Sequence, residues 1–329
     1  MELLNGKKVL LVAPKYHNYL TNIASAFKDL GAEVFSYSQD PETLLFTNFY
    51  LSRLEKFSII KKNYAQEVNK TNQKILNAII GRKFDHVVVI KGDLLSDNTI
   101  SQLRNQFPSS NFILYQWDSI KNYDYLQRIK YFDAVYSFDY DDCNKYSEIS
   151  YLPLFYSEEY AKIALLQNIV YKYDVFFLGF NHTIRVNKIH EMISFFENKD
   201  LKYSINLMTT ISEKIQLGLK RSKINCFFKS LKFNQFSEKY IKSKAIIDIS
   251  SPDQTGLPIR IIEAIGANKK IITTNYNIIN ESFYNPKMIF IWGKDNLEDL
   301  VNFLNKKHKK AKCENYSIKS FAVNLLKVQ

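Results

Sequence analysis

A chain of 329 residues, 46% hydrophobic and 24% charged, can bury a large core, which excludes disorder as its default state and favours two domains over one. With 9 glycines, 7 prolines and 15% aromatic residues it has no Gly/Ser-rich or Pro-rich linker, so any domain boundary must be a tight connection. The net charge of +12 is lopsided: residues 1–157 hold 18 Lys and Arg against 17 Asp and Glu, residues 158–329 hold 27 against 16.

A basic second half suits a polyanionic partner such as a nucleotide diphosphate, anionic lipid head groups or nucleic acid; a solvated lysine-rich surface is the plain alternative. No RNP-like, zinc-finger or helix-turn-helix signature is present, so nucleic acid is not the expected partner. The first residues, Met1 to Lys8, lack the basic and apolar regions of a secretory signal. The longest apolar runs fall well short of the ~20 residues that cross a bilayer. The expected location is cytoplasmic, in solution or peripheral on the cytoplasmic face of the inner membrane. Cys143, Cys226 and Cys313 form no CxxC pair and have no histidine at ligand spacing, and read as packing thiols in a reducing compartment.

In chain order, Lys8 to Ala13 reads as a buried strand, Thr21 to Leu30 as a helix stopped by Gly31, and Glu33 to Ser38 as a second strand. Pro41 to Ile80 has apolar residues at helical spacing (Leu44, Leu51, Leu54, Ile75, Ile79) and predicts one long helix or two. Its interleaved aromatic and basic residues, from Phe46 and Phe49 to Lys62 and Tyr64, suit either core packing or an interfacial membrane helix. Strands follow at Phe84 to Ile90, Asn111 to Gln116 and Ala134 to Phe138. Each ends in a polar cluster: Lys91-Gly92-Asp93, Trp117-Asp118-Ser119 and Asp139-Tyr140-Asp141-Asp142. The carboxyl ends of parallel strands border ligand crevices, which makes those carboxylates candidate acid/base groups. Tyr151 to Tyr156 reads as the last strand of the first domain.

The α/β plan restarts near residue 170, with a strand at Tyr173 to Gly179, a helix at Asn187 to Glu197 and a strand at Tyr203 to Met208. Ala245 to Ile249 is a buried strand, Ser250 to Pro258 a turn of small residues, Ile259 to Ala267 a helix and Lys270 to Asn275 the next strand. Such a loop presents backbone N–H groups at a helix N-terminus, a site for phosphates. Arg260 could clamp a phosphate there, and Glu263 could accept hydrogen bonds from ribose hydroxyls. A last helix is expected over Tyr316 to Leu326. The lysines from Lys306 to Lys312, like the Lys-rich segment 202–244, suit an anionic membrane surface or a solvated turn.

The stretch Gln254-Thr255-Gly256-Leu257-Pro258, Arg260, Glu263-Ala264 and Lys270 to Asn275 resembles the donor site of GT-B glycosyltransferases. With Lys91-Gly92-Asp93, Tyr115 to Ser119, Phe132-Asp133, Ser137-Phe138-Asp139, Tyr151 to Tyr156 and Phe177-Leu178-Gly179 in the same order, it resembles more narrowly the CgeB/RfaS-like lipopolysaccharide-core and capsule transferases. The likeness spans about residues 8–280. It implies an α/β chain of two doubly wound, Rossmann-like domains facing a cleft: residues 1–157 for the acceptor, residues 170–310 for the nucleotide-sugar donor, and residues 311–329 crossing back to the first domain.

The resemblance implies transfer from a nucleotide-sugar donor to a saccharide or lipid-linked glycan acceptor, with no metal or other cofactor. The donor-binding residues it points to are Gly179, Arg185, Gln254, Thr255, Gly256, Leu257, Arg260 and Glu263. His182, three residues before Arg185, lies in the same first loop of the donor domain. An inverting reaction needs a first-domain base, for which Asp118, Asp93 and His17 are the candidates; aspartates at strand ends also cap turns. Asp139-Tyr140-Asp141 spells a DxD motif but begins a helix, where acids act as caps. The family pattern of two glutamates eight positions apart is broken, because Thr255 stands eight before Glu263, so a retaining mechanism does not carry over. A nucleotide-sugar epimerase of the same fold and a non-catalytic basic binding protein are the alternatives.

Overall fold

The structure, a computed structural model, describes residues 3–41, 58–181, 183–216, 223–229 and 231–327. It divides into two compact units: Met1–Pro153 with Ile318–Gln329, and Leu154–Ser317. The expected helical stretch at 42–57 and His182 lie outside the described residues.

In the first unit β1 (Lys8–Ala13), α1 (Tyr19–Asp29), β2 (Glu33–Ser38), α2 (Ser58–Ala78), β3 (His86–Ile90), α3 (Asp97–Gln106), β4 (Asn111–Gln116), β5 (Ala134–Ser137), α4 (Tyr140–Lys145) and β6 (Ile149–Tyr151) follow one another. All strands are parallel, in the order β2-β1-β3-β4-β5-β6. The near-continuous apolar runs of β1, β3 and β4 follow from this, since a parallel strand is covered on both faces. Leu10, Val12, Val87, Val89, Phe112 and Leu114 are fully buried in one cluster, and each contributes roughly 2 kcal/mol.

The second unit continues with α5 (Glu158–Ile163), β7 (Tyr173–Phe180), α6 (Thr183–Asn198), β8 (Tyr203–Met208), α7 (Ile211–Gln216), β9 (Asn225–Phe227), α8 (Phe233–Ile241), β10 (Ser243–Asp248), α9 (Ile259–Gly266), β11 (Lys270–Thr273), β12 (Ile289–Ile291) and α10 (Leu300–Asn305). Its parallel order is β12-β11-β10-β7-β8-β9. The last helix, α11 (Ile318–Leu326), belongs to the first unit, where Phe321 meets Tyr115 edge-on at 4.8 Å and Lys319 lies 4.0 Å from Asp29.

The expected strand over Tyr151 to Tyr156 is corrected: β6 stops at Tyr151. Leu152 N–H still donates to the Ser137 carbonyl, but Pro153 has no N–H to continue the ladder. Tyr156 pairs instead with Ser317 in an isolated bridge, its N–H donating to the Tyr316 carbonyl at 2.9 Å.

Candidate functional site

In an open parallel sheet, the crevice forms outside the strand carboxyl ends where the strand order reverses. That point lies between β1 and β3 in the first unit and between β7 and β10 in the second. Each sheet places a polar cluster beside it.

In the second unit a pocket of about 130 Å³ opens at the reversal, lined by Phe180, Asn181, Ile184, Arg185, Ser250, Ser251 and Pro252. Arg185, in the first turn of α6, spans the two strand ends: its Nε donates to the Ile249 carbonyl at 3.2 Å and its Nη1 to the Phe180 carbonyl at 2.9 Å. Arg260 comes from the first turn of α9. Its Nη1 binds Asp248 Oδ1 at 2.5 Å, its Nε donates to the Leu178 carbonyl at 3.0 Å, and its guanidinium lies 5.4 Å from the Phe177 ring centroid. Asp248, at 1% exposure, also accepts from Ser250 Oγ at 2.7 Å and Thr273 Oγ1 at 3.0 Å. Three side-chain donors are thus held on the Asp248 carboxylate, and Nη2 of Arg260 remains without a hydrogen bond among the described residues.

Gly179 explains why this arginine can lie so close to β7. A Cβ there would stand 2.8 Å from Phe177 Cζ and 3.3 Å from Arg260 Nη2. The turn before α9 is tied down from the next strand's end: Asn275 Nδ2 donates to the Gly256 carbonyl at 3.1 Å and Asn277 Nδ2 to the Thr255 carbonyl at 2.9 Å. Gln254 N–H closes the turn onto the Ser251 carbonyl. Leu257 is buried at 2%, so its side chain is a core anchor and only its backbone faces the turn. Glu263 is also largely buried, at 9%, and its charge helps to raise the pKa of the Tyr240 phenol, after burial itself. The structure therefore gathers Gly179, Arg185 and Arg260 at one strand edge, while Glu263 lies deeper along α9.

In the first unit Lys91 directly follows β3 in a left-handed conformation (φ 63°), and Gly92 comes next (φ 71°). Its ammonium bridges Asp93 and Asp118, 3.0 Å from a carboxylate oxygen of each. Burial opposes that ammonium, but the two carboxylates outweigh it and hold its pKa above the ordinary lysine value. Gln39 Nε2 donates to Asp93 at 2.6 Å and Gln116 Nε2 to the Lys91 carbonyl at 2.7 Å, so the ends of β2, β3 and β4 are joined. His17 lies in the short 3-10 turn Tyr16–Asn18 directly after β1. Asp139 caps α4, accepting from the N–H groups of Asp141 and Asp142. Sequence reasoning missed Lys91 as the link between two candidate bases, and Asp248 as the partner of Arg260. A charged residue closing an otherwise apolar strand, as Asp248 does, was the available signal.

No protein-family profile and no curated protein matches the chain. Solved structures do. An alpha-glucosyltransferase in complex with UDP and a 13-mer DNA aligns with a TM-score of 0.61 at 12% identity over 98% of this chain and 95% of that one. Sucrose-phosphate synthase from Thermosynechococcus elongatus aligns with 0.58 at 10% identity over 98% of both. The lipopolysaccharide outer core galactosyltransferase WaaB aligns with 0.50 at 12% identity over 97% of this chain and 99% of that one. With two six-stranded parallel sheets that each reverse order once, the chain has the GT-B fold of these glycosyltransferases.

Proposed function

We propose that the protein is a glycosyltransferase that moves a sugar from a nucleotide-sugar donor to a saccharide or lipid-linked saccharide acceptor, in the building of a bacterial surface polysaccharide. The observation that carries this reading is the placement of Arg185 and Arg260 at the carboxyl ends of β7 and β10, beside a pocket at the point of strand reversal. A departing nucleoside diphosphate needs compensating positive charge, which two arginines supply without a metal ion. The turn Gln254 to Leu257, Gly179 and Glu263 complete the donor side of the reading. On the acceptor side Asp118 is the proposed base, with Asp93 and His17 as the other candidates. The likeness to WaaB supports the surface-polysaccharide part.

The test is a thermal-shift panel of UDP, GDP, CMP, dTDP and ADP, because a ligand that binds only the folded state raises its melting temperature. Stabilisation by one nucleotide supports the donor site and names its class. The absence of any shift counts against the transferase reading and for a non-catalytic one.

A further inference from the structure

The candidate donor site occupies the carboxyl edge of the second sheet. The amino edge of the same sheet carries a different surface. The connection from α5 to β7 runs there and exposes four large apolar side chains within seven residues: Leu165 at 71%, Leu166 at 48%, Val170 at 78% and Tyr171 at 48%. Soluble surfaces scatter such residues singly, and a cluster marks a contact.

A chain of contacts leads from this loop to the lysine run. The Lys269 ammonium stands 5.1 Å from the Tyr171 ring centroid. The carbonyl of the preceding Asn268 meets His308 Nε2 at 3.3 Å, and the ammonium of the following Lys270 reaches the Lys306 carbonyl. Lys306, Lys307, Lys309, Lys310 and Lys312 are all exposed, and none of them forms an ion pair among the described residues. Lys162 and Lys172 flank the apolar loop in the same condition. Of the nearby acids, Asp174 is held by Lys244 at 2.8 Å and Glu238 by Lys242 at 2.6 Å, with Lys172 acting on Glu238 more weakly, and Glu314 stands beside the run; five lysines between 306 and 312 outnumber them.

We propose that this amino-edge surface docks on an anionic phospholipid bilayer, with the Leu165–Tyr171 loop entering the head-group layer and the lysine run resting on the lipid charge. Charge alone would suit nucleic acid, and exposed leucines alone would suit a protein groove. Apolar side chains bordered by unpaired lysines fit a bilayer interface, where both find their solvent.

The test is co-sedimentation of the full chain with vesicles of phosphatidylcholine, with and without phosphatidylglycerol. Binding to the anionic vesicles alone, reversed by high salt, is expected. The pair Leu165→Asp with Val170→Asp, and separately Lys307→Glu with Lys309→Glu and Lys310→Glu, should each weaken binding about tenfold or more. All these sites are exposed, so both variants should keep the wild-type melting temperature. Equal binding to neutral vesicles, no binding to anionic ones, or binding that survives both variants overturns the proposal, as does capture of a single-stranded DNA oligonucleotide without vesicle binding. Vesicle binding needs no nucleotide, so its outcome is separate from that of the nucleotide panel.

Discussion

Arg260 is held by Asp248 at 2.5 Å, and this buried carboxylate decides which edge of the guanidinium faces Gly179. Removing one member of a buried pair leaves the other charge uncompensated. Asp248→Asn is therefore expected to lower stability by about 3 kcal/mol in denaturant unfolding. Calorimetric titration should show a larger loss of affinity for UDP than for uridine, because the released arginine serves the phosphates. Equal losses for the two would detach Asp248 from phosphate recognition.

Gly179→Ala tests the close approach itself. The new methyl group meets Phe177, which is fully buried and cannot retreat, and presses on Arg260 Nη2. A stability loss of about 2 kcal/mol is expected from overpacking. UDP affinity should fall with it; unchanged affinity would show that Arg260 Nη2 does not contact the ligand.

The Lys91 bridge separates binding from chemistry. Asp118→Asn should leave nucleotide affinity intact and reduce turnover at least about a hundredfold, the scale of a lost general base. Lys91→Met should also spare nucleotide affinity while lowering turnover, because it leaves Asp93 and Asp118 without their shared cation. Normal turnover in the Asp118 variant clears that residue of the base role.

Lys269 predicts a pH dependence. It is 3% exposed, its ammonium donates to the carbonyls of Ile241 and Ser243, and burial lowers its pKa to about 8. Carbonyl dipoles do not replace the hydration of a full charge. The unfolded chain, with an ordinary lysine pKa, binds more protons between pH 8 and 10.5, so stability rises with pH across that window. Against Lys269→Met, the wild type should gain up to about 3 kcal/mol from pH 8 to 10.5. A constant difference across that range would remove the assignment.

The central parallel strands were legible because burial on both faces writes them as apolar runs: β1 and β4 fall at the residues expected from the sequence, while the edge strand β2, with no buried residue, was placed by its spacing after Gly31. β9, α8 and β12 were not read. β9 and β12 are three residues long, too short for a period to show, and α8 lies in a lysine-rich stretch that masks its apolar face. The site divides in the same way. Glycines and arginines beside a turn stand out locally, whereas the Asp248 and Arg260 pair and the Lys91 bridge join residues from different elements, and only the fold brings them together.

The bridge between Tyr156 and Ser317 marks both ends of the second unit, which is inserted into the first. A ribosome finishes all of residues 154–317 before it releases α11, the helix that covers α1 and Tyr115. The first unit is thus begun first and completed last. During synthesis it waits with an apolar face open while the inserted unit folds, and truncation before Ile318 should damage the unit made at the start of the chain.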